Sequence, residues 1–153
     1  MKLLRIGQHG KEKVAVMDSE NKIRDLSSHI NDLNPETINF KTLEKLEKIK
    51  IETLSEVSKS IRIGPCISRP SNILCIGLNY SLHAEQTGSK LPDHPIVFNK
   101  SPDCLQGPND PIKKNKSQEK LDYEVELAVV IGKEAKNISE DKALDYVFGY
   151  FIL

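Results

Sequence analysis

The chain has 153 residues, room for one domain or for a small domain and part of a second. Lysine and arginine total 22, and aspartate and glutamate also total 22, so the formal charge is zero and no basic footprint for nucleic acid or an anionic membrane exists. With 38% apolar and 29% charged residues the composition is globular rather than disordered, and no apolar run approaches the length of a membrane span.

Cys66, Cys75 and Cys104 are widely spaced and odd in number, which fits neither a zinc pattern nor a disulfide framework. Three reduced thiols are expected. The apolar stretch that begins at Leu3 is too short for a signal peptide. A soluble cytoplasmic protein is the expectation.

Short strands joined by turns are predicted at the start. Leu3 to Ile6 is apolar, His9-Gly10 is a turn signal, Val14 to Met17 is β-branched, and Ile23 follows a polar turn over Asp18 to Asn21. From Thr42 to Val57 the period changes. Leu43, Leu46, Ile49, Leu54 and Val57 recur every three or four residues among lysines and glutamates, which predicts amphipathic helix in two pieces with a solvated charged face.

Gly64-Pro65 and Arg69-Pro70-Ser71-Asn72 then punctuate the chain. They divide it into an N-terminal α+β domain over residues 1–70 and a second domain over 71–153. The second part opens with a strand expected to be buried, Ile73 to Gly77. Prolines at 92, 95, 102, 108 and 111 exclude long helix beyond it and leave loops and short strands such as Ile96 to Phe98. Leu121 to Gly132 reads as one long strand. Ser139 is a helix N-cap with Glu140 and Asp141 in the first turn, Ala143, Leu144 and Val147 give that helix an inward face, and Gly149 ends it. Tyr150 to Leu153 starts another apolar strand. Domains seldom end inside such a run, so a chain continuing past Leu153 is expected, with a docked edge strand as the alternative.

Two features could carry chemistry. Glu124 and Glu126 lie two apart in the predicted strand and so share a face, which continues as Ala128, Val130 and Gly132. Tyr123, Val125, Leu127, Val129 and Ile131 form the other face, and both faces read as buried. Two like charges entering a core repel and are poorly solvated, and a divalent cation would resolve the conflict. Oxygen-only ligation points to Mg²⁺, Mn²⁺ or Ca²⁺ rather than zinc. A pair of solvated glutamates is the other reading. The second feature is His83, just after Gly77-Leu78-Asn79-Tyr80, where it is either a general base or a structural histidine. His9, His29 and His94 lie in polar turns and receive no role.

Several segments occur together in one order: Cys75 to Tyr80 with His83, Pro95 to Lys100, Gly107 to Asp110, Asp122 to Lys133, and Gly149-Tyr150. In this combination the chain resembles the first half or so of the fumarylacetoacetate hydrolase family. Glu12-Lys13 and Ile23 to Ser27 are similar to a bacterial branch of ureidoglycolate lyase-like and 2,4-diketo-3-deoxy-sugar-acid hydrolase-like proteins. The resemblance implies an α+β, mainly β architecture: a small N-terminal domain, then part of a mixed β-sheet barrel or roll. It implies Mg²⁺ or Mn²⁺ held by Glu124, Glu126 and an aspartate beyond Leu153. It also implies a keto-acid substrate chelating that ion, His83 activating water, and carbon–carbon cleavage to pyruvate and an acid. Asn79, Tyr80 and Lys100 become candidate substrate contacts, and a homodimer is expected.

Two departures from the family pattern stand out. Gln86 occupies the place of a glutamate three residues after the histidine, with Glu85 one residue early, and Leu82 stands where relatives tend to carry Asp. An amide cannot take a proton or steady an imidazolium as a carboxylate can. Lyase, hydratase, isomerase or oxaloacetate-type decarboxylase chemistry therefore stays open beside hydrolysis, as does a non-catalytic fragment.

Overall fold

The computed structural model describes all 153 residues, Met1–Leu153. They form two compact units, one of Met1–Ser68 with Gln106–Leu153 and the other of Arg69–Leu105. Small sheets dominate, none closes into a barrel, and the class is α+β, mainly β. No helix is long and apolar enough to cross a membrane.

The first unit is built on a four-stranded antiparallel meander in the order β1 (Lys2–Ile6), β2 (Lys13–Met17), β3 (Ile23–Asp25), β4 (Glu56–Val57). Alternation of side chains along β2 explains why it is the centre. Val14 and Val16 face one way and join Leu26, Ile30, Leu33 and Leu46. Ala15 faces the other way and joins Ile6 and Ile23, flanked by Val57, Ile61 and Ile63. Val14, Ala15 and Val16 are therefore all fully buried, as only a strand covered on both sides can be.

The turn from β2 to β3 is held by Asp18, whose Oδ1 accepts from the amides of Glu20 (2.9 Å) and Lys22 (2.8 Å) while Oδ2 accepts from Arg24 Nε (2.8 Å). Asn21 takes the left-handed conformation the turn requires, φ 58°, which asparagine tolerates. Burial alone would push the Asp18 carboxyl up, but these donors hold it below the usual carboxylate range.

The predicted amphipathic segment is α-helical only in its first piece, α1 (Phe40–Glu47); the second piece is corrected to a 3₁₀ turn over Ile51–Thr53, after which Leu54 is extended and Val57 pairs in β4. Asn39 caps α1 by accepting from the Thr42 amide at 2.9 Å, and Leu46 is its buried anchor.

After β4, residues 62–64 run beside β1: Gly7 N donates to Arg62 O at 2.9 Å and Gly64 N to Arg5 O at 2.7 Å. This brings Arg5 and Arg62 to either side of Glu12. Arg5 Nη2 lies 3.3 Å from Glu12 Oε2, and Arg62 Nη1 lies 2.8 Å from Oε1. Arg5 Nε also donates to Asp32 Oδ1 at 2.6 Å. Arg62 forks onto Asp110, with Nε to Oδ1 at 2.8 Å and Nη2 to Oδ2 at 2.6 Å. Asp110 Oδ2 in turn accepts from the Gly107 amide at 2.9 Å. The Gly107 to Asp110 motif is thus a turn clamped onto the N-terminal sheet. Only glycine fits at 107, because a Cβ there would run into the Ile63 carbonyl oxygen.

The later strands are β7 (Leu127–Ile131) and β8 (Val147–Ile152), an antiparallel pair with a bulge where Val130 meets Gly149 and Ile131 meets Val147. Three expectations are corrected here. The long strand predicted from Leu121 starts only at Leu127. The helix predicted after Ser139 is a 3₁₀ run, Glu140–Tyr146, in which Leu144 is 75% exposed rather than inward. Gly149 lies inside β8 instead of ending a helix. A good cap and acidic first turn do not make an α-helix without an apolar face to bury.

The second unit consists of β5 (Ile73–Gly77), α2 (Ser81–Gln86) and β6 (Ile96–Lys100), with β5 antiparallel to β6. The strand predicted as buried is partly exposed, Leu74 at 65%.

Candidate functional site

His83 sits on α2, and the local sequence explains why that short helix forms. Tyr80 is extended at its N-cap and its carbonyl accepts from the Ala84 amide at 3.1 Å. At the other end Gly88 is left-handed, φ 65°, with Gly88 N donating to Glu85 O (3.1 Å) and Ser89 N to Ala84 O (2.8 Å). This pair of bonds is the Schellman closure that a glycine at C′ permits. Thr87 tightens it, with N and Oγ1 both donating to the His83 carbonyl at 3.1 and 3.0 Å. Ala84 is fully buried and anchors the helix, which leaves His83, Glu85 and Gln86 exposed. On a helix His83 and Gln86 are neighbours, three apart, whereas Glu85 is not on that side.

Asn79 and Tyr80 lie in the turn between β5 and α2, after Leu78, which is left-handed at φ 51°. Lys100 pairs with Ile73, whereas Gly77 pairs with Ile96. Lys100 is therefore at the opposite end of the β5–β6 hairpin from Asn79, about 13 Å along the strands. A cleft of about 310 Å³ opens in this unit, with Asn79, Asp93 and His94 among its walls.

Glu124 and Glu126 belong to the other unit. They precede β7 rather than riding on it, and Val125 between them has φ 59°. A β-branched residue in the left-handed region is a true outlier, costing roughly 1–3 kcal/mol, and such strain collects at functional sites. It also breaks the alternation from which a shared face was inferred. Glu126 continues the β7–β8 ladder, its N donating to Leu153 O at 3.1 Å and its O accepting from Leu153 N at 2.9 Å. Glu124 is exposed and Glu126 half-buried.

The expectation that both faces are buried is corrected as well. Tyr123, Val125, Leu127, Val129 and Ile131 are between 49% and 84% exposed. The covered face is that of Glu126, Ala128, Val130 and Gly132. Its small residues allow close approach: a Cβ on Gly132 would stand 3.0 Å from Phe148 Cβ and 3.4 Å from the Phe40 ring. Lys133 Nζ lies 4.2 Å from the Tyr146 ring centroid and 5.5 Å from that of Phe40. Pattern alone could not tell which face would be covered, since both are apolar.

No three His, Cys, Asp or Glu side chains gather into a metal-binding group. The two glutamates offer oxygen donors only, the chemistry Mg²⁺ and Mn²⁺ accept, and Mg²⁺ commonly binds through one or two carboxylates with water and ligand oxygens completing its shell.

Comparison with known proteins decides the family. The profile described as fumarylacetoacetate (FAA) hydrolase C-terminal matches residues 72–153. The chain belongs to the fumarylacetoacetate hydrolase family. A Burkholderia ambifaria protein whose name proposes a hydrolase without naming a substrate is 44% identical over 153 residues, covering 100% of this chain and 54% of that one. A similarly named Burkholderia multivorans protein is also 44% identical, with the same coverage. The solved structure of a fumarylacetoacetate hydrolase from Exiguobacterium antarcticum aligns with TM-score 0.76 at 26% identity, over 99% of this chain and 54% of that one. This family member spans about half the length of the curated relatives it matches.

Two features escaped sequence reading. His94 and Asp93 line the cleft beside Asn79. The available signal was their position between Pro92 and Pro95, which stiffen the loop into a wall. The Arg62–Asp110 clamp joins residues 48 apart and has no local signature.

Proposed function

We propose that this chain is the His83- and Glu-x-Glu-bearing part of a metal-dependent hydrolase that cleaves the carbon–carbon bond of a 2,4-diketo acid to pyruvate and a second acid. The observation that carries the reading is the pair Glu124 and Glu126, on either side of a strained Val125 at the entrance to β7, in a member of this family. A residue held at that cost between two carboxylates is what a ligand-binding segment produces.

Glu124 and Glu126 would hold the divalent cation through carboxylate oxygens, and Mg²⁺ or Mn²⁺ bound there would supply Lewis-acid polarisation of a 2-keto acid. An imidazole nitrogen of His83 takes a proton from water as the water oxygen adds to the C4 carbonyl. The C3–C4 bond then breaks, its electron pair stays on the pyruvate carbon, and that carbon is protonated. Exposure of His83 leaves its ring accessible to water, as this role requires.

The test is pyruvate release from a panel of 2,4-diketo acids, with and without Mg²⁺, by the chain joined to the remaining half that its relatives carry and by the Glu124→Gln variant of that protein. Metal-dependent release that Glu124→Gln abolishes is expected. Turnover that survives in Glu124→Gln overturns the metal assignment.

A second reading has its own observation. Gln86 is the helical neighbour of His83 where a carboxylate would steady an imidazolium. Decarboxylation of an oxaloacetate-type acid needs no activated water, so faster turnover of oxaloacetate than of any acylpyruvate favours it.

A further inference from the structure

The N-terminal sheet carries a separate cavity of about 330 Å³, on the face of β2 that holds Ala15. Strand register decides which side chains share that face. Lys13 lies two residues before Ala15 and pairs with Ile6, Asp25 pairs with Ala15, and Val57 pairs with Ile23. Ile6, Val57 and Ile61 give the cavity an aliphatic floor. Lys13 and Lys11 line it too, and Lys11 is set there by the tight turn between β1 and β2. In that turn Lys11 N donates to Gln8 O at 2.9 Å, and Gly7 and Gly10 take positive φ. Neither lysine belongs to any of the molecule's ion pairs. Asp25 is the one acid of the wall, and its Oδ1 already accepts from the Ser27 amide at 2.8 Å. None of these residues has a part in the reaction proposed above.

We infer that this cavity binds a small organic monoanion, a carboxylate joined to a compact apolar body. Its volume lies at the small end of the range for ligand sites, roughly 300–1,000 Å³. The charges select the ligand. Two lysines against one carboxylate leave a single positive charge, which one acid group matches. A carboxylate accepts from both ammonium groups, and these have donors but no acceptor. A second acid group would face Asp25. The floor selects as well. Its three aliphatic side chains gain from apolar contact and offer no hydrogen-bond partner to a sugar or a hydrated inorganic anion. The backbone of the turn does not compete for the acid group, because Gly7 N donates to Arg62 O and Gly7 O accepts from Arg62 Nη1.

The experiment uses the chain joined to the remaining half that its relatives carry, with EDTA present so that no metal holds a carboxylate. Calorimetry compares benzoate with benzamide, which has the ring but no charge, and with acetate, which has the charge but no ring. Benzoate is expected to bind at least about fivefold more tightly than either. It is also expected to protect Lys11 and Lys13, above the other lysines, from reductive methylation read by peptide mass spectrometry. Both lysines are exposed, so a variant carrying Lys11→Gln and Lys13→Gln should fold as the parent does and lose the preference for benzoate over benzamide. Equal binding of benzoate and benzamide, equal binding of benzoate and acetate, protection confined to other lysines, or a preference that survives in the variant would overturn the inference. So would resistance of Lys11 and Lys13 to methylation before any acid is added, since the protein itself would then fill the cavity. The titration reads no turnover, so its outcome is independent of the catalytic reading.

Discussion

At His83 the question of chemistry turns on one neighbour. Gln86 lies three residues on along α2 and can offer only an amide to the imidazole. Gln86→Glu is expected to raise hydrolysis of a 2,4-diketo acid relative to decarboxylation of oxaloacetate, and His83→Ala to lower hydrolysis by about 10²–10⁴-fold, the usual span for a general base. Parallel assays of the two substrates check this. The thiols make a second prediction at the same scale. Burial pushes the Cys66 thiol up to about 11, while Cys75 is also half-buried and Cys104 is exposed. Because the thiolate is the nucleophile, iodoacetamide at pH 8 should label Cys104 first and Cys66 last, as read by peptide mass spectrometry. Glu124 and Glu126 were legible as a pair of candidates from their spacing. The left-handed Val125 between them was not, since valine carries no signal for that conformation.

The elements follow local sequence where their own side chains suffice. The meander was readable because Val14 to Met17 is β-branched and bounded by polar turns, and α1 because its leucines recur at helical spacing. The 3₁₀ run Glu140–Tyr146 was misread as α-helix: Ser139 stands at its N-cap position without a side-chain capping bond, and Leu144 stays exposed. The turn over Gly107 to Asp110 depends on contacts from afar. Gly107→Ala would force its new methyl against the Ile63 carbonyl, and Arg62→Met would leave Asp110 without its fork and Glu12 with one guanidinium instead of two. Each should lower the urea midpoint, by about 1–3 kcal/mol in unfolding free energy. An unchanged midpoint would mean that the turn is not part of the cooperative unit.

For the whole molecule, charge balance conceals an uneven arrangement. Burial opposes ionisation of Glu12 and Asp32, yet Arg62 acts on the first and Arg5 on the second strongly enough to hold both carboxyls low. Asp110 is lowered by Arg62 and the Gly107 amide, and Asp25 by Ser27. Groups depressed in the folded state stabilise it fully above their unfolded values, about 4, and that contribution is lost as pH falls through the folded values. Thermal midpoints should therefore hold steady from neutrality to about pH 5 and fall steeply below about pH 4. A midpoint insensitive to acid would count against the network. Composition and motif order sufficed to predict the class, the family resemblance and the candidate residues, because those depend on residue type and on spacing along the chain. Tertiary structure alone decided which face of β7 is covered, how Arg62 reaches Asp110, and that Asp93 and His94 join Asn79 around one cleft. Each of these is a meeting of segments distant in sequence, settled by which close approaches the small residues allow and which charges can be paired once water is excluded.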